Sequence, residues 1–214
     1  MTDELLYKYD ENKYNLGVLP DEAEKALIEG NKRFVAGRFL KKDFSEEIRL
    51  KLSRDLQRPM AVVLTCADSR VAPEVIFDQG LGDIFVVRNA GNVVDSIVLG
   101  SIEYAVDQFK IPLILVLGHE KCGAVRCAVD GTETSQNIRT IMDKIMPTVK
   151  SIKSSNMNDD VEEIASKVEY ENAKQSAKRI LESSIISRFV EEKKVKVITA
   201  KYHLKTGKVE ILKL

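Results

Sequence analysis

MAVVLT (60–65), IFVV (84–87) and LILVL (113–117) are the stretches that decide the fold. Each is short, apolar and rich in β-branched residues, which is how a strand buried on both faces of a parallel sheet reads. Between the second and third lies DSIVLGSIEYAVDQF (95–109). Val98, Ile102, Ala105 and Phe109 fall there on one helical stripe, and Asp95 or Ser96 is placed to cap its start. Strands alternating with helices predict an α/β fold: a central, mainly parallel β-sheet flanked by helices.

On the N-terminal side, DEAEKALIEGNKRFVA (21–36) reads as a helix capped by Asp21, with Ala23, Ala26, Leu27 and Phe34 near one face. The stretch from there to Arg58 is expected to be helical too, with Pro59 closing it. On the C-terminal side, residues 135–192 read as mostly helical, interrupted by SIKSSNMNDD (151–160). Asp160 and Glu163 have the spacing of a capping box that restarts the helix. VKVITAKY (195–202), a turn at Thr206-Gly207 and VEIL (209–212) predict a C-terminal strand pair. Neither a repeat nor a linker divides the chain. A single domain over 1–214 is therefore expected, with an N-terminal helical arm (1–58) on an α/β core (59–214).

Composition removes several classes of function. Lysine plus arginine equals aspartate plus glutamate at 33 each, without the basic excess or stripe of a nucleic-acid binder. No run approaches the roughly 18 apolar residues of a membrane span. The opening MTDELLYKYDENKYNLG is acidic and polar rather than basic and then apolar, which favours the cytoplasm. Only three cysteines (Cys66, Cys122, Cys127) and two histidines (His119, His203) occur. Such a set fits metal binding or thiol chemistry better than a disulfide framework.

Two clusters carry the chemistry. Cys66-Ala67-Asp68-Ser69-Arg70 follows the first strand, and Gly118-His119-Glu120-Lys121-Cys122-Gly123 follows the third. Ligands of open α/β sheets gather at the carboxyl ends of strands, so neighbouring first and third strands would bring Cys66 to His119 and Cys122. Two thiolates and an imidazole suit Zn²⁺, and three protein ligands leave the fourth position open, as in catalytic sites. Cys122 is expected at the start of the next helix, where the dipole favours a thiolate. Taken singly, each cysteine would read as a small core residue; the joint spacing with His119 and Asp68 outweighs that. Asp68 and Arg70, two apart on a turn, are placed for a bidentate pair, or Asp68 for the open metal position. A strand-end salt bridge of little consequence is the plainer reading of that pair.

At these residues the sequence resembles the β-class carbonic anhydrases. The likeness is carried by CADSRVAPE (66–74), GDIFVVRNAGN (82–92), GSIEYAV (100–106) and LGHEKCGAV (117–125), with weaker echoes in GNKRF (30–34) and YHLKTGKVEIL (202–212). C-x-D-x-R paired with H-x-x-C at this separation is highly specific. The resemblance implies one Zn²⁺ per protomer held by Cys66, His119 and Cys122, with water or hydroxide as the fourth ligand. Asp68 would alternate between pairing with Arg70 in an active form and ligating zinc in a closed one. Gln57, Phe85, Tyr104 and Gly123 match substrate-pocket positions, and Ala90 stands at another where some relatives carry valine, although Phe85 and Tyr104 also read as ordinary strand and helix residues. Where some relatives carry a tryptophan of a bicarbonate site, this chain has Val63.

The implied activity is reversible hydration of carbon dioxide to bicarbonate and a proton, in a homodimer or homotetramer whose pocket is shared across the dimer interface. Residues 1–40 suit an arm that wraps the partner. Carbon dioxide is apolar and needs only a dry pocket beside the nucleophile. Two thiolates already neutralise the zinc, so bound water should stay more basic than at a three-histidine site, and activity should climb through alkaline pH. Hydrolysis of carbon disulfide or carbonyl sulfide, and a non-catalytic zinc or thiol redox sensor, are the rival readings. His203 reads as an exposed strand residue rather than a proton shuttle, and Cys127 as a packed helix residue.

Overall fold

The computed structural model describes residues 17–54 and 57–214. Its centre is one five-stranded sheet in the order β2-β1-β3-β4-β5. The strands are β1 (Ala61–Cys66), β2 (Ile84–Asn89), β3 (Leu113–His119), β4 (Lys196–Tyr202) and β5 (Val209–Leu212). The first four pair in parallel and β5 runs antiparallel to β4. β1 and β3 are buried along their whole length, which is why they read as unbroken apolar runs, whereas the edge strand β2 is only half-buried.

Side-chain alternation divides the core into two layers. Val62, Leu64, Ile114 and Val116 point to one face. There they meet α4 (Ser96–Phe109), α7 (Val161–Leu181) and α8 (Ser184–Glu191) through Ile102, Ala105, Ala173, Ala177, Ile180 and Ile186. Ala61, Val63, Leu113, Leu115 and Leu117 point to the other, against α1 (Pro20–Val35) and α3 (Pro73–Ile76) through Ala23, Leu27 and Ile76. A third cluster gathers α5 (Gly123–Asp130), α6 (Gln136–Ser155) and α7 around Cys66 and Cys122. Asp95 accepts a hydrogen bond from the Val98 amide at 2.8 Å to cap α4. Asp160 and Glu163 form the reciprocal box that opens α7.

Four sequence expectations change. Helix α1 begins at Pro20, which needs no amide donor at that position; Asp21 lies in its first turn, and Glu22 accepts from the Leu19 amide instead. The helix expected to continue to Arg58 is broken, since among the described residues of that stretch only α2 (Glu46–Arg54) is helical and Gln57 and Arg58 are not. Asp78, buried at 2% exposure, supplies the reason. Its carboxylate gathers Arg33, Lys42 and the Leu40 amide, and only a non-helical crossing of residues 38–42 delivers all three. The break between α6 and α7 is narrower than 151–160, because α6 runs to Ser155. Finally, α1 packs on its own sheet, with Ala23 and Leu27 buried; the rest of the expected arm, residues 1–16, lies outside the described residues.

Candidate metal centre

The strand order puts the chemistry where connections diverge. From β1 the chain moves to β2 on one side, then crosses to β3 on the other, so the C-terminal ends of β1 and β3 border a switch point. Cys66 is the last residue of β1 and His119 the last of β3. Cys122 is the N-cap of α5, delivered by a turn in which Lys121 takes a left-handed conformation (φ 55°). The three donor atoms lie within 4.8 Å of one another and all three residues are buried.

Each donor is oriented by the chain. The Gly91 amide donates to Cys66 Sγ at 3.3 Å. Gly91 has φ 76°, and a Cβ there would lie 3.0 Å from Ile145 Cδ1 and 3.2 Å from Ala124 Cβ, so glycine is required for this approach. His119 Nδ1 lies 2.9 Å from the Glu120 carbonyl; as the donor of that bond it leaves Nε2 as a lone pair. His119 Nε2 is buried and without a hydrogen-bond partner. A buried nitrogen left so costs about 1–3 kcal/mol unless something else takes the lone pair. Cys66 Sγ and Cys122 Sγ are 4.0 Å apart. Hydrogen bonding from the Cys122 thiol, helped by the Gly91 amide, holds the Cys66 thiol below the usual thiol range, while its Cys66 partner and burial push Cys122 up. A divalent cation binding between these sulfurs would discharge any thiol proton they hold. An orphaned imidazole nitrogen facing two thiols fits zinc, which favours nitrogen and sulfur donors in a tetrahedron.

Asp68 and Arg70 form a bidentate pair, with Oδ1–Nε 2.9 Å and Oδ2–Nη2 2.7 Å, and the Arg70 amide also donates to Oδ1. These hydrogen bonds, the Arg70 side chain's first, hold the Asp68 carboxyl well below the usual carboxylate range. Both Asp68 oxygens are engaged by Arg70, and Asp68 is not among the clustered donors.

The expected pocket residues divide into two groups. Ala90 opens the short 3-10 turn that carries Gly91, and Gly123 is the first residue of α5, with open space where a Cβ would stand. Gln57, Phe85 and Tyr104 do not join the metal within one protomer. Exposed Gln57 lines a hollow with Pro59, Met60 and Phe109 at the opposite end of β1 from Cys66. Phe85 pairs in register with Val62, and Phe85 and Tyr104 both pack on Phe109, at 6.4 and 5.1 Å between ring centroids.

Sequence reasoning missed three participants. Arg88 donates to the Cys66 carbonyl at 3.1 Å and the Asp68 carbonyl at 2.8 Å, tying the Cys-x-Asp turn to β2. A charged residue ending an apolar strand inside GDIFVVRNAGN was a usable signal. Glu169 accepts from the Cys122 amide at 3.2 Å and pairs with Lys201 at 2.7 Å. No local pattern marks either residue; only the packing of α7 on β3 and β4 brings them there.

Comparison with known proteins agrees with this centre. The family model for carbonic anhydrase matches residues 61–209. The chain is 42% identical to the carbonic anhydrase of Mycolicibacterium smegmatis over 196 residues, 90% of this chain and 93% of that one. It is 54% identical to carbonic anhydrase 2 of Mycobacterium tuberculosis over 134 residues, 61% of this chain and 64% of that one. The chain therefore spans a little under two thirds of the latter relative. Among solved structures, the Coccomyxa β-carbonic anhydrase in complex with acetazolamide superposes with a TM-score of 0.69 at 26% identity, over 78% of this chain and 80% of that one.

Proposed function

The chain belongs to the β-class carbonic anhydrase family, and from that premise we propose that it hydrates carbon dioxide reversibly to bicarbonate and a proton with one zinc ion per protomer. The observation that carries the proposal is the buried Cys66-His119-Cys122 set with its unpartnered His119 Nε2. When bound, zinc supplies a Lewis acid that lowers the pKa of a water molecule from 15.7 toward about 7, making it a nucleophile near neutral pH.

The chain's own residues do the rest. Cys66, His119 and Cys122 would hold the metal, whose remaining chemistry is to acidify water. Asp68, kept ionised by Arg70, has only acceptor capacity toward an incoming O–H. It fixes which way the nucleophile's hydrogen points and so turns a lone pair toward carbon dioxide. Release of Asp68 from Arg70 would free its carboxylate to turn toward the metal donors, giving the closed form. Arg88 holds the turn that sets the distance between Cys66 and Asp68.

The carbon dioxide pocket is proposed to need a second protomer. Ala90 and Gly123 border the three metal donors, while Gln57 lies at the far end of β1 and Phe85 and Tyr104 lie on the edge formed by β2 and α4, where Ile97 and Tyr104 are 78% and 53% exposed. A dimer, or a tetramer made of two such dimers, that joins these edges would carry Gln57 and Tyr104 of one chain to the metal of the other. Residues 59–214 serve as one core around a single sheet. Three free cysteines suit the reducing cytoplasm, and among the described residues no helix is long and apolar enough to cross a membrane.

Zinc analysis with parallel turnover assays on carbon dioxide, carbon disulfide and carbonyl sulfide tests the proposal. Stoichiometric zinc with carbon dioxide as the fastest substrate is expected. Faster turnover of a sulfur analogue would reassign the substrate. Full zinc occupancy without turnover of any of the three would leave a zinc or thiol sensor.

A further inference from the structure

Against the Cys122 end of the metal centre lies a buried ion pair that the proposed mechanism does not use. Glu169 of α7 and Lys201 of β4 are 6% and 2% exposed, and their charged groups meet at 2.7 Å. Lys201 Nζ also reaches the Ser166 carbonyl at 3.4 Å and sits 4.0 Å from the centre of the Tyr170 ring. Burying two charges removes them from water, so such a pair adds little to stability and is often replaceable by apolar side chains. Stability is therefore a poor reason for this one.

Its other oxygen supplies a better reason. Glu169 Oε1 accepts from the Cys122 amide at 3.2 Å. Cys122 is the N-cap of α5, so its amide precedes the helix and has no intrahelical acceptor. The carbonyl of the same peptide unit, that of Lys121, accepts from Arg70 Nη2 at 3.3 Å. The 121–122 peptide is thus held at both poles: its oxygen by the arginine that pairs with Asp68, its N–H by the glutamate that pairs with Lys201. Rotation of this peptide would swing Cys122 Sγ about its Cα. The close seat of α7 is built in as well, since a Cβ on Gly118 would lie 3.3 Å from both the Glu169 carbonyl and Ala173 Cβ.

We infer that Glu169 is a positioning residue for the metal centre: through the Cys122 amide it aims the Cys122 thiolate, and Lys201 holds its carboxylate for that task. The relay Asp68–Arg70–peptide 121–122–Glu169–Lys201 makes the geometry of the Asp68–Arg70 pair and of the Cys122 ligand parts of one network. This inference rests on the zinc reading above.

Two double variants of equal charge separate the acceptor from the ion pair. Glu169→Gln with Lys201→Met removes both charges and keeps an acceptor for the Cys122 amide; Glu169→Met with Lys201→Met removes both charges and the acceptor. Chelator competition for zinc, the thiolate-to-metal charge-transfer band of the cobalt form, and thermal melts of the metal-free proteins are the readouts. The Met/Met chain should lose about 10–100-fold in zinc affinity, with an altered cobalt band. The Gln/Met chain should bind zinc as the natural chain does, and the two metal-free melts should agree. Unchanged affinity and cobalt spectrum in Met/Met, or equal losses in both variants, would overturn the inference. Failure of Met/Met alone to fold would make Glu169 a structural residue and overturn it too. If the natural chain itself takes up no zinc, the zinc reading fails first, and the two failures are told apart.

Discussion

The two halves of the site are built in opposite ways. The metal half, at the C-terminal ends of β1 and β3, lies within one chain: three buried, clustered donors, a more exposed bidentate Asp68–Arg70 pair and the Gly91 amide aimed at Cys66 Sγ. The proposed pocket half is dispersed, with exposed Gln57 at the far end of β1 and half-buried Phe85 and exposed Tyr104 around Phe109 on the β2–α4 edge. Metal ligands need fixed distances, which strand ends and tight turns provide. An apolar pocket for a small neutral molecule needs only enclosure, and a neighbouring protomer can provide that.

If the division is real, damage on the metal side should remove metal and turnover together, while damage on the pocket side should remove turnover from a zinc-loaded chain. The largest effect is expected for Cys66→Ser. Zinc content should fall and hydration drop by at least about three orders of magnitude, because the metal's effect on water acidity is lost; metal analysis beside stopped-flow rates checks both. Asp68→Asn should keep zinc and fold but lose on the order of 10²–10³-fold in kcat, the usual cost of removing one aligned polar group from a reacting centre. Tyr104→Arg places a charge on the proposed contact edge. It should give a monomer in analytical ultracentrifugation, still zinc-loaded, with activity down on the order of 10²-fold from misplacement of the pocket. A monomer of full activity would erase the comparison. Gln57→Ala is the mildest: a dimer with full zinc and about tenfold lower kcat/KM, one hydrogen bond's worth.

The pH response sharpens the same contrast. Arg70 depresses the Asp68 pKa, so the paired form should persist down through the ordinary carboxylate range. Its contribution to stability is present above the unfolded value of about 3.9 and is lost only as pH falls through the lower folded value. The rising limb of a rate profile at neutral to alkaline pH therefore cannot come from Asp68. Under the proposed mechanism, the water that zinc would acidify is expected to set it.

Much of the metal half was legible because its cause is local. β1 and β3 are buried on both faces, so their sequences are unbroken apolar runs, and Cys66, His119 and Cys122 follow them directly. Legibility failed where a distant residue dictates the outcome. The helix expected through residues 37–45 gives way to the needs of buried Asp78, contributed by a segment after α3. Glu169 sits in α7, where a lone acid looks like any solvated helix residue, and Lys201 interrupts a strand whose neighbour Ala200 is fully buried. Only the fold shows that these two meet behind Cys122. The pocket residues were named by resemblance, and the structure of one chain leaves Gln57 apart from the metal they were expected to share.

The most direct test of the account is carbon dioxide hydration by stopped flow as a function of pH on zinc-quantified protein, with Cys66→Ser measured alongside. Turnover proportional to zinc, rising through alkaline pH and absent in Cys66→Ser is the result the account predicts. Zinc-independent turnover, or a flat profile from acid to alkaline pH, would contradict it.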